Sequence, residues 1–140
     1  MCGIAGLVTF NRNSDHTSVA LESALGMLIH RGPDSLGLMS WVSESGARVN
    51  LGMTRLAVLD LSEAAEQPMT TSDGRFTLVY NGEITNFREL RSDLAARGYS
   101  FRSSGDTEVL LGSWAAGGLS VLRNLKECMP SRYWTGMNKP

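Results

Sequence analysis

The sequence contains little cysteine and little histidine. Only Cys2 and Cys128 carry thiols, and only His16 and His30 carry imidazoles. Two cysteines do not form a disulfide framework, so a reducing compartment is favoured. The histidines are too few, and too far from the cysteines in the sequence, to predict a metal site. We therefore expect neither a disulfide-stapled secreted domain nor a bound metal ion.

The sequence also has no excess of one charge and no long apolar run. Thirteen basic residues oppose fourteen acidic ones, which gives a net charge of −1. This balance, without a cluster of Lys and Arg, argues against nucleic acid and anionic membranes as partners. The apolar start breaks at Asn11 with no basic residue before it, which is unlike a signal peptide or a membrane span. We expect a cytoplasmic protein.

The residues that are present predict one globular domain of the α+β class. A hydrophobic content of 42% with 19% charged residues is ordinary for a soluble protein, and 140 residues suffice for one core. Residues 17–31 and 86–98 have the apolar spacing of helices, and a third helix opens at Asp106. Gly32 is expected as a left-handed helix cap and Asn86 as a capping-box residue. Strands, which outnumber the helices, are predicted at 4–10, 36–42, 48–58, 75–84 and 99–104.

Cys2 stands directly behind the initiator methionine, where a disulfide would be a poor use of the residue. Once Met1 is removed, Cys2 carries a thiol and a free α-amine. An α-amine has a pKa near ~8, whereas a lysine amine titrates above ~10, so the α-amine is the one substantially unprotonated near neutral pH. The second position therefore offers a nucleophile and a base within one residue, which would suit a catalyst.

Five short segments are too polar or too rich in glycine for their surroundings, or place one charge in an apolar run. Each has a structural explanation when taken alone. An Asn-Gly pair such as Asn81-Gly82 is a strong hairpin signal, and Arg55 could be a single surface charge on a strand. The segments are Cys2-Gly3-Ile4, HRGPDS (residues 30–35), Arg55-Leu56-Ala57-Val58, Tyr80-Asn81-Gly82-Glu83 and SGDTE (residues 104–108).

Together and in this order, the segments resemble one family. MCGIAGLV, HRGPDS, TRLAVLDLS, QPM, YNGEITNFREL and GDTEVLL are similar to the glutaminase domain of glutamine-dependent asparagine synthetases, from Met1 to about Arg123. This resemblance implies a class II glutamine amidotransferase with the N-terminal-nucleophile hydrolase fold, a sandwich of two antiparallel sheets between helices. Two residues depart from the family pattern: Thr85 replaces a Tyr and Ala65 replaces a Gly, and both are expected to be tolerated.

The resemblance also implies a reaction and its residues. Cys2 would attack the side-chain amide of L-glutamine after its α-amine accepts the thiol proton, and the thioester would be hydrolysed to glutamate. The side chain of Asn81 and the N–H of Gly82 would form the oxyanion hole, which makes them catalytic with Cys2. Arg55 would bind the α-carboxylate and Asp106 the α-ammonium of glutamine. The remaining substrate-binding residues would be Leu56, Ala57, Val58, Leu59 and Glu83, and His30, Arg31 and Asp34 would form a wall of the pocket.

The last residues of the sequence differ from the family. We expect a partial amidotransferase domain at 1–125 and an aberrant tail at 126–140, so that the sandwich is incomplete at its C-terminus. Plausible codons from Lys126 onward, read one base earlier, encode a strand close to the next one of the family, which indicates a frameshift. No Ser-Gly-Gly-x-Asp-Ser loop is present, so the synthetase half, with its ATP and Mg, is expected to be absent and no cofactor is expected in this chain. The strands after residue 125 would then be missing, which would leave a sheet with an unpaired edge and a partly uncovered apolar face.

Two other functions stay open at this point. One is a glutamine-binding module without turnover, although such a module would not need the oxyanion pair. The other is a truncated fragment that folds poorly. The acceptor of the ammonia is also open, since lasso-peptide cyclases and sugar amidotransferases contain related domains. In full-length relatives the partner would be a synthetase domain or a second copy in a homodimer.

Overall fold

The computed structural model describes residues 2–10 and 17–126, and the backbone of residues 132–137. Cys128 lies outside the described residues. The strands are β1 (Gly3–Thr9), β2 (Ser35–Val42), β3 (Arg48–Arg55), β4 (Met69–Thr70), β5 (Phe76–Asn81) and β6 (Arg132–Met137). The helices are α1 (Thr17–Leu28), α2 (Phe87–Ala96) and α3 (Asp106–Gly117), with short 3-10 turns at Ile29–Arg31, Glu63–Ala65 and Gly118–Arg123.

Two antiparallel three-stranded sheets pack face to face. The first has the order β1-β3-β2 and the second the order β4-β5-β6. Leu51 and Met53 of β3 and Val79 of β5 are buried together between the sheets. Successive side chains of a strand point to opposite faces, so Gly52 points outward, where α1 covers the sheet with the fully buried Leu25.

The outer face of the second sheet is covered by helices. Leu78 and Tyr80 of β5 pack against Leu110 and Leu111 of α3, and Phe87 at the start of α2 packs against the same cluster. The molecule therefore has four layers, helix, sheet, sheet and helix, as α+β sequences of this kind predict. None of the helices within residues 17–126 has both the length and the apolar character needed to cross a lipid bilayer.

Two strands, β3 and β5, are shorter than the sequence predicts. β3 ends at Arg55, because Asp34 N–H donates to the Arg55 carbonyl (3.0 Å) and Ala57 N–H donates to the Asp34 carboxylate (2.8 Å), which turns the chain away from the sheet. Residues 99–104 do not form a strand. The N–H groups of Arg102 and Ser103 donate instead to the buried carboxylate of Glu108, at 3.0 and 2.7 Å.

Two predicted helix caps are also wrong. Gly32 has φ −156°, which is extended and not left-handed. A Cβ at this position would lie 2.3 Å from the Thr54 carbonyl oxygen, so close packing explains this glycine. Asn86 makes no capping hydrogen bond to α2. Its amide group donates to the Asn124 carbonyl (3.0 Å) and accepts from Lys126 N–H (3.0 Å), so it links α2 to the chain after α3.

The expectation that no strand follows residue 125 is corrected by the structure. β6 pairs with β5 along its whole length, from Phe76 opposite Met137 to Asn81 opposite Arg132. The ladder is made by backbone groups, which do not require the alternating apolar pattern whose absence led to the expectation. Tyr133, Trp134 and Thr135 are also residue types that favour strands.

Candidate active site

A cavity of about 750 Å³ opens where β1 begins and β3 and β5 end. Since β1 and β3 are antiparallel, the first residue of one lies beside the last residues of the other, with Gly3 opposite Thr54. The cavity is lined by every site residue predicted from the sequence except Ala57, whose N–H instead anchors its loop to Asp34. The predicted residues that line it are Cys2, Arg55, Leu56, Val58, Leu59, Asn81, Gly82, Glu83 and Asp106.

Cys2 is held at the cavity by contacts of its backbone. Gly3 N–H donates to the Thr54 hydroxyl (3.2 Å), which in turn donates to the Leu28 carbonyl (3.1 Å). A Cβ on Gly3 would lie 2.6 Å from Thr54 Oγ1 and 2.7 Å from Leu28 Cβ, so the residue after Cys2 has no room for a side chain. Arg31 Nε donates to the Cys2 carbonyl (3.2 Å). These contacts fix the start of β1 and leave the thiol half-exposed at the cavity.

Cys2 contacts Leu56 through its thiol and Asn81 through its backbone carbonyl. Leu56 N–H donates to Cys2 Sγ, with N and S 3.3 Å apart. Asn81 Nδ2 donates to the Cys2 carbonyl (3.2 Å). A side-chain amide has two N–H donors, so Asn81 has a second donor to offer to a substrate bound at Cys2.

Arg55 and Asp106 lie on two different segments of the cavity wall. Arg55, the last residue of β3, donates from Nη2 to the Asp60 carbonyl. Asp106, the first residue of α3, is buried and accepts a hydrogen bond from Ile84 N–H (3.0 Å). Burial raises the pKa of Asp106 above its ordinary value, and the nearby Glu83 carboxylate adds to the rise. A cation that binds beside Asp106 would offset this cost of ionisation.

Asp60 is a cavity residue that the sequence reasoning missed. Its buried carboxylate accepts from Ser62 N–H and Oγ (2.9 and 2.7 Å) and from Ser104 N–H and Oγ (2.6 and 2.8 Å). These hydrogen bonds, led by that of the Ser62 hydroxyl, hold the pKa of Asp60 well below its usual range. The signal that could have revealed it is one carboxylate within the apolar run 56–61.

Gln67 is a second residue that was missed. Its Oε1 accepts from Tyr80 N–H (2.5 Å) and its Nε2 donates to the Thr107 hydroxyl (3.3 Å), so it joins β5 to the start of α3 beside the cavity. The motif Gln67-Pro68-Met69 was noted as a family mark without this role. Ala65, one of the two departures, is buried and lines the cavity close to Gln67.

The HRGPDS loop forms part of the wall, but not with all the residues expected. Arg31 lines the cavity, whereas His30 and Asp34 do not. Asp34 acts from behind by holding Ala57. The other departure, Thr85, lies outside the cavity and donates from N–H (2.8 Å) and Oγ1 (2.9 Å) to the Lys126 carbonyl.

The arrangement combines a nucleophile, donors for a developing oxyanion, a guanidinium and a buried carboxylate around one cavity. This set suits attack on an amide or ester carbonyl of a substrate that also carries a carboxylate and an ammonium group. Within the described parts of the chain, no three His, Cys, Asp or Glu side chains are grouped closely enough to hold a metal ion.

Comparison with known proteins gives relatives over most of the chain. The sequence model of the glutamine amidotransferase domain matches residues 1–129. Asparagine synthetase (glutamine-hydrolyzing) 1 of Bacillus subtilis (strain 168) is 36% identical over 118 residues, and synthetase 3 of the same strain is 39% identical over 116. Each alignment covers 81% of this chain, but the chain spans only 17% and 18% of the two relatives.

A solved structure gives the fold. The glutamine phosphoribosylpyrophosphate amidotransferase from B. subtilis, complexed with ADP and GMP, matches with a TM-score of 0.72 over 98% of this chain and 35% of its own. At 19% identity the likeness concerns the fold alone. It agrees with the sandwich that the sequence motifs predict. The chain therefore belongs to the class II glutamine amidotransferase domain family and has the N-terminal-nucleophile hydrolase fold, two antiparallel sheets between helices.

Proposed function

We propose that this chain hydrolyses the side-chain amide of L-glutamine to glutamate and ammonia through a thioester on Cys2. The observation that supports the proposal most directly is the placement of Cys2, Asn81 and Gly82 at one cavity with Arg55 and Asp106. The cavity exceeds the size of one amino acid and lies within the range of small-molecule sites, about 300–1,000 Å³. Asn81, which is 79 positions from Cys2 in the sequence, donates to its carbonyl at 3.2 Å.

The first half of the reaction forms the thioester. After removal of Met1, the α-amine of Cys2 accepts the thiol proton, and the sulfur attacks the Cδ carbonyl carbon of glutamine. Negative charge develops on the carbonyl oxygen, where the second N–H of Asn81 Nδ2 and the N–H of Gly82 stabilise it. The C–N bond then breaks, the leaving nitrogen takes the proton from the α-ammonium, and ammonia departs.

The second half regenerates the thiol. The α-amine accepts a proton from water, whose oxygen attacks the thioester carbonyl carbon in the same oxyanion hole. The C–S bond breaks, the sulfur recovers a proton, and glutamate is released. The balance is one glutamine and one water to one glutamate and one ammonia. Thiol, amine and amide donors suffice for these steps, so we propose no cofactor for them.

Recognition of the amino-acid end of glutamine falls to the part of the cavity wall formed by Arg55 and Asp106. The planar guanidinium of Arg55 matches the geometry of the α-carboxylate. Asp106 supplies a buried counter-charge for the α-ammonium. Leu56, Val58 and Leu59 flank this wall, and Glu83 lies beside Asp106.

The fate of the ammonia is proposed from the relatives. The two B. subtilis proteins are named glutamine-hydrolysing asparagine synthetases, so we assign this chain to the ammonia-supplying half of an asparagine synthetase-like ligase in amino-acid biosynthesis. Aspartate would be the acceptor, and ATP and Mg would belong to a synthetase domain. The low cysteine content of the sequence supports a cytoplasmic location.

The decisive experiment is covalent labelling with a glutamine analogue that carries an electrophile in place of the amide. Intact mass should show loss of Met1 and addition of one label, and peptide mapping should place the label on Cys2. Free L-glutamine should protect Cys2, and Cys2→Ser should abolish labelling. Asn81→Ala should lower glutamine turnover about 10²–10³-fold, the usual effect of removing one oxyanion donor.

Cys128→Ala is the control for the second thiol of the sequence and should label normally. Labelling of Cys128 alone would contradict the proposal. Saturable binding of glutamine without any Cys2 adduct, or retention of Met1, would support the non-catalytic binding module instead.

A further inference from the structure

The groups proposed to bind the two charges of glutamine belong to separate segments. Arg55 begins the loop 55–62 after β3, and Asp106 follows the loop 103–105 that leads into α3. Neither residue contacts the other through a hydrogen bond or ion pair among the described residues. Their spacing depends on what joins the two loops.

Asp60 contacts Arg55 through its backbone carbonyl and reaches the other loop through Oδ2 of its carboxylate. Its backbone carbonyl accepts from Arg55 Nη2, and its Oδ2 accepts from Ser104 N–H (2.6 Å) and Ser104 Oγ (2.8 Å). Its Oδ1 accepts from Ser62 of its own loop. One buried residue thus contacts the guanidinium directly and the chain two positions before Asp106.

The four hydrogen-bond partners of the Asp60 carboxylate are all donors, namely the N–H and hydroxyl groups of Ser62 and Ser104. An ionised carboxylate has about four lone-pair sites and no donor, so it satisfies all of them. An asparagine in its place has one oxygen and one NH₂ group, and the NH₂ would face N–H and O–H donors of either Ser62 or Ser104. The chemistry of the site therefore requires a carboxylate and not only a polar side chain of this size.

We propose that Asp60 is a positioning residue that fixes the distance between Arg55 and Asp106, and through it the affinity for the α-amino-acid end of glutamine. The inference rests on the proposed function of the cavity. The hydrogen-bond partners of Asp60 are Arg55, Ser62 and Ser104, and they include neither the Cys2 thiol nor the proposed oxyanion donors. Its loss should weaken recognition and leave the reaction at Cys2 intact.

The test measures the two constants of Cys2 labelling by the electrophilic glutamine analogue: KI, the concentration for half-maximal rate, and kinact, the rate at saturation. In Asp60→Asn, KI should rise about tenfold or more, because hydrogen bonds to a charged group are lost or inverted. The value of kinact should stay within about threefold of the original, since the groups that act on the reacting carbon are untouched. A residue that only stabilised the fold would change neither constant below the melting temperature.

Two serines provide a matched pair of variants, which also decide the question if Asp60→Asn does not fold. Ser62→Ala and Ser104→Ala each remove one exposed hydroxyl that donates to Asp60, at 2.7 and 2.8 Å. Only Ser104 belongs to the other loop. Ser104→Ala should therefore raise KI more than Ser62→Ala does.

Equal KI values for the two serine variants, or an unchanged KI in Asp60→Asn, would overturn the positioning role while the proposed function stands. A fall in kinact at constant KI would place Asp60 in the reaction instead and would also overturn it. Absence of Cys2 labelling in the unmodified chain is a different result, which would overturn the proposed function and this inference with it.

Discussion

At this site, hydrogen bonds with backbone groups hold single residues in place. The start of β1 is fixed through Gly3 N–H and the Cys2 carbonyl, whereas the hydrogen bonds of the Cys2 thiol go to the backbone of Leu56. The thiol therefore stays accessible to a substrate while the backbone of Cys2 is held in place. Asp106 is likewise held by a backbone group, since Ile84 N–H donates to its carboxylate (3.0 Å), and it lines the cavity.

The raised pKa of Asp106 gives a pH dependence to glutamine binding. In the folded protein, burial raises the pKa of the Asp106 carboxyl group above its ordinary value of 3.8. The ionised form binds the α-ammonium, so affinity should be full above the folded pKa and fall as pH drops through it. Stability has the opposite sign: the raised pKa favours the folded state below the unfolded pKa, and this contribution is lost as pH rises through the folded pKa.

Calorimetric titration of glutamine into the Cys2→Ser variant, from about pH 4 to about pH 8, checks this prediction. Asp106→Asn should bind more weakly at neutral pH and lose the acidic decline. A decline of equal size in Asp106→Asn would assign the titration to another group, of which Glu83 at the same cavity is the first to test.

Arg55 should not tolerate replacement by lysine. Arg55→Lys keeps the charge but loses the planar fork and its contact with the Asp60 carbonyl. We expect the KI of the electrophilic glutamine analogue to rise about tenfold or more, because a charge-assisted hydrogen bond is lost. Arg48→Lys is the matched control, because Arg48 lies at the opposite end of the same strand and does not line the cavity. If both substitutions had the same small effect, Arg55 would not be a glutamine ligand.

At the scale of elements, the glycine after Cys2 tests how tightly β1 packs on α1. Gly3→Ala would place a methyl group 2.6 Å from Thr54 Oγ1 and 2.7 Å from Leu28 Cβ. The backbone of β1 must then shift, which should cost about 1–3 kcal/mol of unfolding free energy and slow labelling of Cys2. Gly26→Ala is the control on α1, where nothing lies within 4 Å of an added Cβ. It should raise stability by roughly 0.5–1 kcal/mol, the difference in helix propensity.

Chemical denaturation of both variants gives the comparison. Equal stability of the two would show that β1 and α1 accommodate the extra methyl group, and that the close packing at Gly3 does not constrain Cys2.

The sequence predicted the existence of these elements better than their ends. α3 begins at Asp106 and ends at Gly117 as expected, because its signals are local ones, a turn of acidic residues and two glycines. The predicted strand at 99–104 failed because its β-type composition serves another purpose. Tyr99 and Phe101 stack on each other with ring centroids 4.7 Å apart, and the following N–H groups bind Glu108.

The candidate site was predictable where family motifs name residues, and not where contacts between distant segments decide. Cys2, Asn81 and Arg55 belong to recognisable motifs, and the structure brings them to one cavity. Asp60 and Ser104 are 44 positions apart in the sequence. A lone Asp between apolar residues marks Asp60 as unusual, but the partner on the second loop is known only from the structure.

At the scale of the whole molecule, the layered sandwich places the site where strands of both sheets begin or end. β1 and β3 bring Cys2 and Arg55 to this position from one sheet, and β5 brings Asn81 from the other. Within the described strands, β4 pairs only with Leu78 and Thr77 of β5. The end of β5 that carries Asn81 is therefore paired with β6 alone among the described strands, so the strand at 132–137 supports the backbone of Asn81.

Removal of residues 127–140 tests this support through the amides of β5, which alternate in direction along the strand. Phe76 N–H and Tyr80 N–H point toward the β4 side, where they donate to Thr71 Oγ1 (3.1 Å) and Gln67 Oε1 (2.5 Å). The backbone N–H groups of Thr77, Val79 and Asn81 therefore point toward β6.

In a chain cut after Lys126, hydrogen exchange should quicken at Val79 and Asn81 but much less at Leu78 and Tyr80, which gives an internal control within one strand. Labelling of Cys2 should also slow, because Asn81 loses the ladder that holds it, and the exposed edge should promote association of the chains. Exchange that quickens equally at all four amides would indicate global destabilisation. Unchanged exchange at Val79 would show that β6 does not support the strand that presents Asn81.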